Sequence, residues 1–484
     1  MSNAQRPAPA HFPGRRVLLS PHSMAYGGEA VARLDGRVVF VAGALPGEQV
    51  EAEVFEERRS FWRARTVQVL QAAPTRVEPP CPIFGACGGC QWQHAAYEVQ
   101  LAFKRHILQE QLERLGGLRG VIVHPTIPLG TDEHRPSPAP DGPWYYRNAA
   151  RLAVLPDGSL GYRRAYSHDL VAAARCWIVR PVIDEALAPL AGVLGRQPPH
   201  IREAVEQVTL RSGFAGEDEC LDVLLLRRAG SSAELDQLAL AIVQDVPRVA
   251  GVYEHRGTPG PARSRRAGSD TPLPEPYEVP APGGRLRRLA GERTLEQVVL
   301  DKHFQVPPQA FFQVQREQAG TLVRLVLDWL QPRPDDFALD AYCGVGLFAL
   351  FLAPHVQGVW GIEADAEAVQ AAGENLARAG MLNAMFTTGK VEEVLPLAMQ
   401  QEPPPRLDIA VLDPPRAGCA VRFLDALAAA GPRRIAYVSC EPSTLARDLR
   451  YLQERGYRTV AVWPVDMFPQ TYHIEAVAGL ERAG

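Results

Sequence analysis

From Gly14 to Ala73 apolar and polar residues alternate in short runs, the period of strands whose side chains point to opposite faces. Ala32–Val41 reads as a hairpin about Asp35-Gly36, a dipeptide that accepts the positive φ of a type I′ turn. Val50, Ala52 and Val54 alternate with glutamates, and the period returns over Thr66–Leu70. A small five-stranded barrel accommodates these runs, and such barrels often bind nucleic acid. The period then changes. Tyr97, Leu101, Leu108, Leu112 and Leu115 form one stripe of a helix expected over Ala95–Leu115, which Gly116-Gly117 stops. Residues 145–255 mix strand-like runs, such as Leu221–Leu226, with helical ones.

From about Val306 strands and helices alternate. A helix over Arg316–Leu330 precedes a strand at Phe337–Ala341, a glycine turn and a second helix. Further strands are expected at Val359–Glu363, Ile409–Asp413, Ile435–Ser439 and Thr459–Pro464. That rhythm predicts an α/β domain built on a doubly wound, mainly parallel sheet. Two proline-, glycine- and serine-rich stretches, Thr131–Pro143 and roughly 255–284, read as surface insertions. The expected organisation is a disordered tail over 1–12, a small β-barrel over 13–75, a mixed α+β central domain over 76–300 and a Rossmann-like catalytic domain over 301–484. The helix over 95–115 is expected to pack on the catalytic domain.

Composition sharpens this only in part. A chain of 484 residues is too long for one ordinary core, which agrees with several domains. The first residues carry no apolar run of signal-peptide type, and no segment has the apolar length of a membrane helix, so the cytoplasm is the expected compartment and no membrane partner is expected. In that setting eight cysteines are better suited to metal ligation or catalysis than to disulfides. A net charge of −4 gives no global signal for nucleic acid. Arg58, Arg59, Arg63 and Arg65 are suited to tracking phosphates, although ordinary solvated surface explains them equally well.

The run Leu339-Asp340-Ala341-Tyr342-Cys343-Gly344-Val345-Gly346-Leu347 falls where the first parallel strand turns into a helix. Glycines there let backbone approach a ligand that a Cβ would keep away. Asp340 can cap the turn or accept from a ligand amino group, and Glu363 ends the next strand, where an acid accepts from ribose hydroxyls. Tight strand–helix packing alone also explains a Gly-x-Gly. The dinucleotide pattern wants a third glycine, but Leu347, Phe348 and Ala349 follow Gly346. S-adenosylmethionine has no pyrophosphate and needs none.

Ligands of open parallel sheets sit beyond the carboxyl ends of the strands. Asp413-Pro414-Pro415-Arg416 and Cys440 fall there, while Glu475 lies in the last apolar segment after the loop Asp466–Tyr472. A thiolate adding to carbon 6 of uracil makes carbon 5 nucleophilic, and a base must later remove the carbon 5 proton. Cys440 and Glu475 suit those roles. Taken singly, a buried apolar cysteine and a paired surface carboxylate are the bland alternatives.

Ser439-Cys440-Glu441-Pro442-Ser443-Thr444-Leu445-Ala446-Arg447-Asp448 resembles the nucleophile motif of the RNA uridine-5 methyltransferases. Asp466-Met467-Phe468-Pro469-Gln470-Thr471, with His473 and Glu475, is similar to another motif of that family, as are Phe311-Phe312-Gln313-Val314 and Leu412–Gly418. The first 75 residues look like the family's RNA-binding TRAM barrel. The resemblance implies S-adenosylmethionine as cofactor, Cys440 as nucleophile and Glu475 as base, with Gln313, Tyr342, Gly344, Glu363 and Asp413 lining the methyl-donor site. Three departures stand out: Gln315 and Glu441 replace common asparagines, and Tyr472 replaces a common glycine.

Cys81, Cys87 and Cys90 place three thiols on one loop whose glycines let it curl, and Cys176 is the best fourth ligand. Four thiolates suit an iron–sulfur cubane or zinc. The cluster-bearing branch of the same family, similar to bacterial 23S ribosomal RNA enzymes, implies a [4Fe–4S] centre. Cys220, Cys343 and Cys419 remain core or loop residues. The expected partner is structured RNA met by a monomer, 23S ribosomal RNA first, with the T-loop of transfer RNA as the alternative. The uridine must leave its stack to be reached, and Phe311, Phe312 or the group Tyr145-Tyr146-Arg147-Asn148 can receive it. Rival readings are a methylase of cytosine or an exocyclic amine, an inactive iron–sulfur RNA-binding protein, and an NAD-dependent oxidoreductase.

Overall fold

A computed structural model of the chain describes residues 14–130, 142–228, 231, 234–256, 285–291 and 295–483. The expected tail and nearly all of the two expected insertions lie outside the described residues. Among the described residues the principal strands form three sheets. The first contains β1 (Arg15–Leu19), β2 (Ser23–Met24), β3 (Ala30–Leu34), β4 (Arg37–Ala42), β5 (Gln49–Glu57) and β6 (Phe61–Gln71), in the order β1-β5-β6-β4-β3-β2. Leu34 pairs with Arg37 across the hairpin, where Asp35 and Gly36 have φ of 49° and 78°. Val50, Ala52 and Val54 point inward as their alternation requires. The barrel has six strands rather than the expected five, because two residues in β2 are too few to show a period.

The helix Tyr97–Arg114 and the short strand β7 (Ile122–Val123) follow. The helix corrects the expected apolar stripe. Leu115 is exposed and Leu101 only partly covered, while Gln100 and Lys104 are buried beside Tyr97, Ile107, Leu108 and Leu112. A count of apolar residues cannot find such a face, because these polar groups are buried only where partners from distant segments satisfy them. The Lys104 ammonium donates to Asp466 Oδ1 at 2.6 Å and to the Phe468 carbonyl at 2.8 Å, and the Tyr97 hydroxyl donates to Asp466 Oδ2 at 2.7 Å.

The central sheet is built from β8 (Ala149–Val154), β9 (Leu160–Arg163), β10 (Leu170–Ala172), β11 (Val205–Ala215), β12 (Asp218–Arg227), β13 (Val249–Arg256), β14 (Arg285–Gly291), β15 (Glu296–Val299) and β16 (Lys302–Gln305). Helices Pro181–Gly195 and Asp236–Asp245 cover it through Ile183, Leu187, Leu238 and Ile242.

The third sheet contains β17 (Phe337–Ala341), β18 (Gly358–Glu363), β19 (Ala384–Thr388), β20 (Ile409–Leu412), β21 (Arg434–Ser439), β22 (Tyr457–Val465) and β23 (Glu475–Arg482), plus β7 at one edge. Its order is β19-β18-β17-β20-β21-β23-β22-β7. The strands β17 to β21 run parallel, and β23 lies antiparallel between β21 and β22. Both faces are covered, so these strands read as apolar runs. Ile409, Val411, Ala436 and Val438 face one core, with the helix Arg316–Leu330. Ala410, Leu412, Ile435 and Tyr437 face the other, which continues through Trp92 into the barrel interior. No helix among the described residues is long and apolar enough to cross a membrane.

Removing one partner of a buried ion pair leaves an uncompensated charge, which costs about 3–5 kcal/mol. Lys104→Met is therefore expected to lower unfolding stability by about that amount in urea titrations. Stability equal to that of the unaltered chain would contradict the assignment of Lys104 and Asp466 as a structural pair.

Candidate active site

The glycine turn after β17 uses left-handed backbone at Tyr342, Gly344 and Gly346, with φ of 64°, 52° and 85°. A Cβ on Gly344 would meet nothing within 4 Å, so the turn opens onto free space. Asp340 Oδ2 accepts from the Ala349 amide at 2.8 Å, while its buried Oδ1 has no partner among the described residues. Burial pushes the Asp340 carboxyl up to about 8, and the nearby charges of Asp413 and Glu363 reinforce that. Glu363 accepts from the amides of Gly344, Ala364 and Asp365 at 3.1, 2.6 and 2.9 Å. Gln313 Nε2 donates to Asp413 Oδ2 at 3.1 Å, and burial raises that carboxyl to about 7. Three carboxyl groups thus converge at the ends of β17, β18 and β20, and the Glu363 charge opposes ionisation of both Asp340 and Asp413, a basin that favours a cationic ligand. The Tyr342 ring packs edge-on against Phe423 at 5.9 Å, and its hydroxyl lies beside Cys419.

The antiparallel direction of β23 assembles the second half of the site. Ser439, last in β21, pairs with Ala476, so the neighbours Cys440 and Glu475 reach the same edge, next to Asp413. Burial, then Glu475, pushes the Cys440 thiol far above its ordinary value. Burial, then Asp413, raises Glu475 likewise. Arg416 opposes both shifts, so one guanidinium favours the charged form of each group. Arg416 Nη2 donates to His473 Nδ1 at 2.9 Å, and burial beside that cation keeps His473 neutral. Sequence reasoning quoted Arg416 and His473 within motifs but gave neither a role.

Residues far upstream hold the loop between β22 and β23. Gln91 and Trp92 amides donate to the Gln470 carbonyl at 3.0 Å, Gln100 Oε1 accepts from the Gln470 amide at 2.9 Å, and the Tyr146 hydroxyl donates to the Pro469 carbonyl at 2.9 Å. Asn148 Nδ2 donates to the Gln313 carbonyl at 2.9 Å. Tyr145-Tyr146-Arg147-Asn148 is thus a buried brace behind the site rather than an open receiving surface. Phe312 is buried against Phe304, and Phe311 is half-exposed.

Comparison with known proteins matches this architecture. Residues 14–67 fit the TRAM domain model, and residues 292–483 fit the model described as tRNA (Uracil-5-)-methyltransferase. An uncharacterised RNA methyltransferase of Halalkalibacterium halodurans is 34% identical over 475 residues, covering 96% of each chain. One from Gloeobacter violaceus is 34% identical over 481 residues, covering 97% of each. The chain belongs to the RNA uracil-5-methyltransferase family. The solved tRNA (uracil-54, C5)-methyltransferase of Pyrococcus abyssi, in complex with S-adenosyl-L-homocysteine, shares the methyltransferase's fold with a TM-score of 0.68 at 23% identity, covering 96% of this chain and all of that one.

Cys81, Cys87, Cys90 and Cys176 line one cavity of about 440 Å³, which extends to Tyr472 and His473. Burial and the neighbouring thiols Cys176 and Cys81 push Cys87 up to about 12. Among the described residues no group of three or more His, Cys, Asp or Glu side chains is placed to hold a metal ion. The predicted centre is thus seen only as four thiols sharing a cavity. Cys220, Cys343 and Cys419 are buried, as expected for core and loop positions. In the barrel Arg58, Arg63 and Arg65 pair with Glu56, Glu29 and Glu53, so those charges are largely balanced within the protein. At the start of the helix Arg316–Leu330, Gln315 makes no side-chain cap bond, a cost of the departure from asparagine.

The fold favours protonated Asp340 and Asp413. Their stabilising contribution is full below the ordinary carboxyl pKa of about 4 and is lost as pH climbs through about 7 to 8. Asp340→Asn, which cannot ionise, is expected to raise the thermal midpoint at pH 8 relative to the unaltered methyltransferase and to flatten its decline from pH 5 to 8. An unchanged pH profile would contradict this.

Proposed function

We propose that the methyltransferase places the methyl group of S-adenosylmethionine on carbon 5 of a uridine in structured RNA through a transient bond to Cys440. The observation that carries this reading is the β21–β23 register, which brings Cys440 and Glu475 together beside the acid-lined glycine turn. The Cys440 sulfur adds as thiolate to carbon 6, the ring electrons shift towards carbon 5, and carbon 5 takes the methyl group from the sulfonium. Glu475, as carboxylate, removes the carbon 5 proton, the carbon 6–sulfur bond breaks, and the double bond returns. Arg416 favours ionisation of both groups. Asp340, whose Oδ1 has no partner among the described residues, suits the donor's ammonium group, while Glu363 suits the ribose and Gln313 with Asp413 the remaining wall. An amine methylase has no use for Cys440.

For the substrate, the family model's description and the stated substrate of the Pyrococcus abyssi enzyme both name transfer RNA. They support the transfer RNA alternative better than the 23S ribosomal RNA first expected from the cysteines. The uridine leaves its stack in either case. The reading places this work in the cytoplasm, on a monomer.

The four thiols lining one cavity suit a [4Fe–4S] cluster, with zinc as the alternative. The methyl transfer requires no electrons, so the inferred role is structural or RNA-positioning.

Incubating the methyltransferase with labelled donor and unmodified transfer RNA or ribosomal RNA is expected to label 5-methyluridine in transfer RNA. Cys440→Ala is expected to abolish labelling and to leave donor affinity within about twofold by calorimetry. Retained turnover in that variant would refute the covalent route, and label confined to ribosomal RNA would restore the first substrate. Protein purified without air is expected to be brown, absorbing at about 400 nm. A colourless sample with one zinc per chain would replace iron by zinc.

A further inference from the structure

Two of the three departures from the family motifs, Glu441 and Tyr472, flank the reacting groups and meet one residue of the barrel. The Tyr26 hydroxyl donates to Glu441 Oε2 at 2.9 Å, across 415 positions of chain. The edge of one ring meets the other where Tyr26 approaches Tyr472, with centroids 5.3 Å apart at 90°. Glu441 follows Cys440 directly, and its second carboxylate oxygen accepts from Ser443 Oγ at 2.9 Å, which fixes the carboxylate at the start of the helix Pro442–Gln453. The Tyr472 ring lies tilted against His473 with centroids 4.3 Å apart and planes at 38°, and His473 accepts from Arg416, the cation that faces both Cys440 and Glu475.

The barrel turn beside Tyr26 is seated tightly. The Gly28 carbonyl accepts from Trp92 Nε1 at 3.1 Å, and a Cβ on Gly28 would lie 2.9 Å from Gln91 Cβ and 3.4 Å from the Tyr472 ring. Burial and the Glu441 charge push the Tyr26 hydroxyl well up, so it remains a donor at physiological pH. With the glycine common at position 472 there would be no ring for Tyr26 to meet. With the asparagine common at 441 the hydroxyl would meet a neutral amide. The two replacements act together only because Tyr26 stands between them.

We propose that Tyr26 is a positioning residue of the uridine site, locking the RNA-binding barrel onto the two loops that carry the reacting groups. The inference rests on the reading of Cys440 as nucleophile. Its consequence is that the barrel contributes to turnover of bound RNA as well as to affinity.

The test follows adduct formation with 5-fluorouridine-substituted RNA and steady-state kinetics in the full chain. Tyr26→Phe keeps the ring and deletes the hydroxyl. It is expected to lower kcat and the rate of adduct formation by about tenfold, the scale of one hydrogen bond to a carboxylate, while KM for RNA stays within about twofold. Glu441→Gln, which weakens the same bond from the other side and serves if Tyr26→Phe does not fold, is expected to behave alike. The double variant is expected to lose no more than the worse single one, because both changes break one interaction. Additive losses, or a raised KM with unchanged kcat, would overturn the inference. No adduct in the unaltered protein overturns both the nucleophile reading and this inference. An adduct formed at the same rate in Tyr26→Phe overturns this inference alone.

Discussion

The site depends on a charge pair placed where charges are costly. Lys104 and Asp466 are both fully buried, and each meets a further partner, the Phe468 carbonyl for one and the Tyr97 hydroxyl for the other. Isolated, either ion would be driven out of the core; together, with their remaining hydrogen-bonding capacity largely used, they tie a helix of the segment after the barrel to the loop between β22 and β23. That loop sets the point at which β23 begins, and β23 begins with Glu475. The position of a proposed catalytic base is thus held by a lysine more than three hundred residues upstream.

Around that frame the electrostatics divide into two halves. At the glycine turn Asp340, Glu363 and Asp413 crowd three carboxyl groups, and one Asp340 oxygen has no partner among the described residues. A sulfonium with an ammonium group suits such a basin better than a dinucleotide with its negative pyrophosphate. At the neighbouring strand ends Glu475 opposes ionisation of the thiol, Asp413 opposes that of Glu475, and Arg416 offsets both shifts. Burial makes all these interactions stronger, since little water remains to screen them. A single edge of one sheet therefore presents a region suited to a cation beside a region that stabilises anions.

Much of the catalytic sheet was legible because its signal is local. Strands buried on both faces leave apolar runs, and the predicted strand at Phe337–Ala341 and helix at Arg316–Leu330 match the observed bounds. β19 escaped notice because Ala384–Thr388 is short and only half-buried at an edge of the sheet. β7 escaped because two residues carry no period. The helix Tyr97–Arg114 was found, yet its buried face was misread, since Gln100 and Lys104 face inward only by virtue of residues 466 to 470. The Tyr145–Asn148 group was noticed for its aromatic and polar character, but whether such a group meets solvent or core depends on what packs over it.

From the sequence alone came the order of strands and helices, the glycine turn with its trailing acid, and the placement of Cys440 and Asp413 at strand ends, because each is set by neighbours a few positions away. Tertiary structure decided that β23 runs antiparallel, which turns Glu475 towards Cys440 rather than to the far edge of the sheet. It also decided that Arg416 faces both groups and that Tyr26 reaches across from the barrel to Glu441 and Tyr472. Those relations join residues tens to hundreds of positions apart, and an energy that belongs to such a pair leaves no period in the chain.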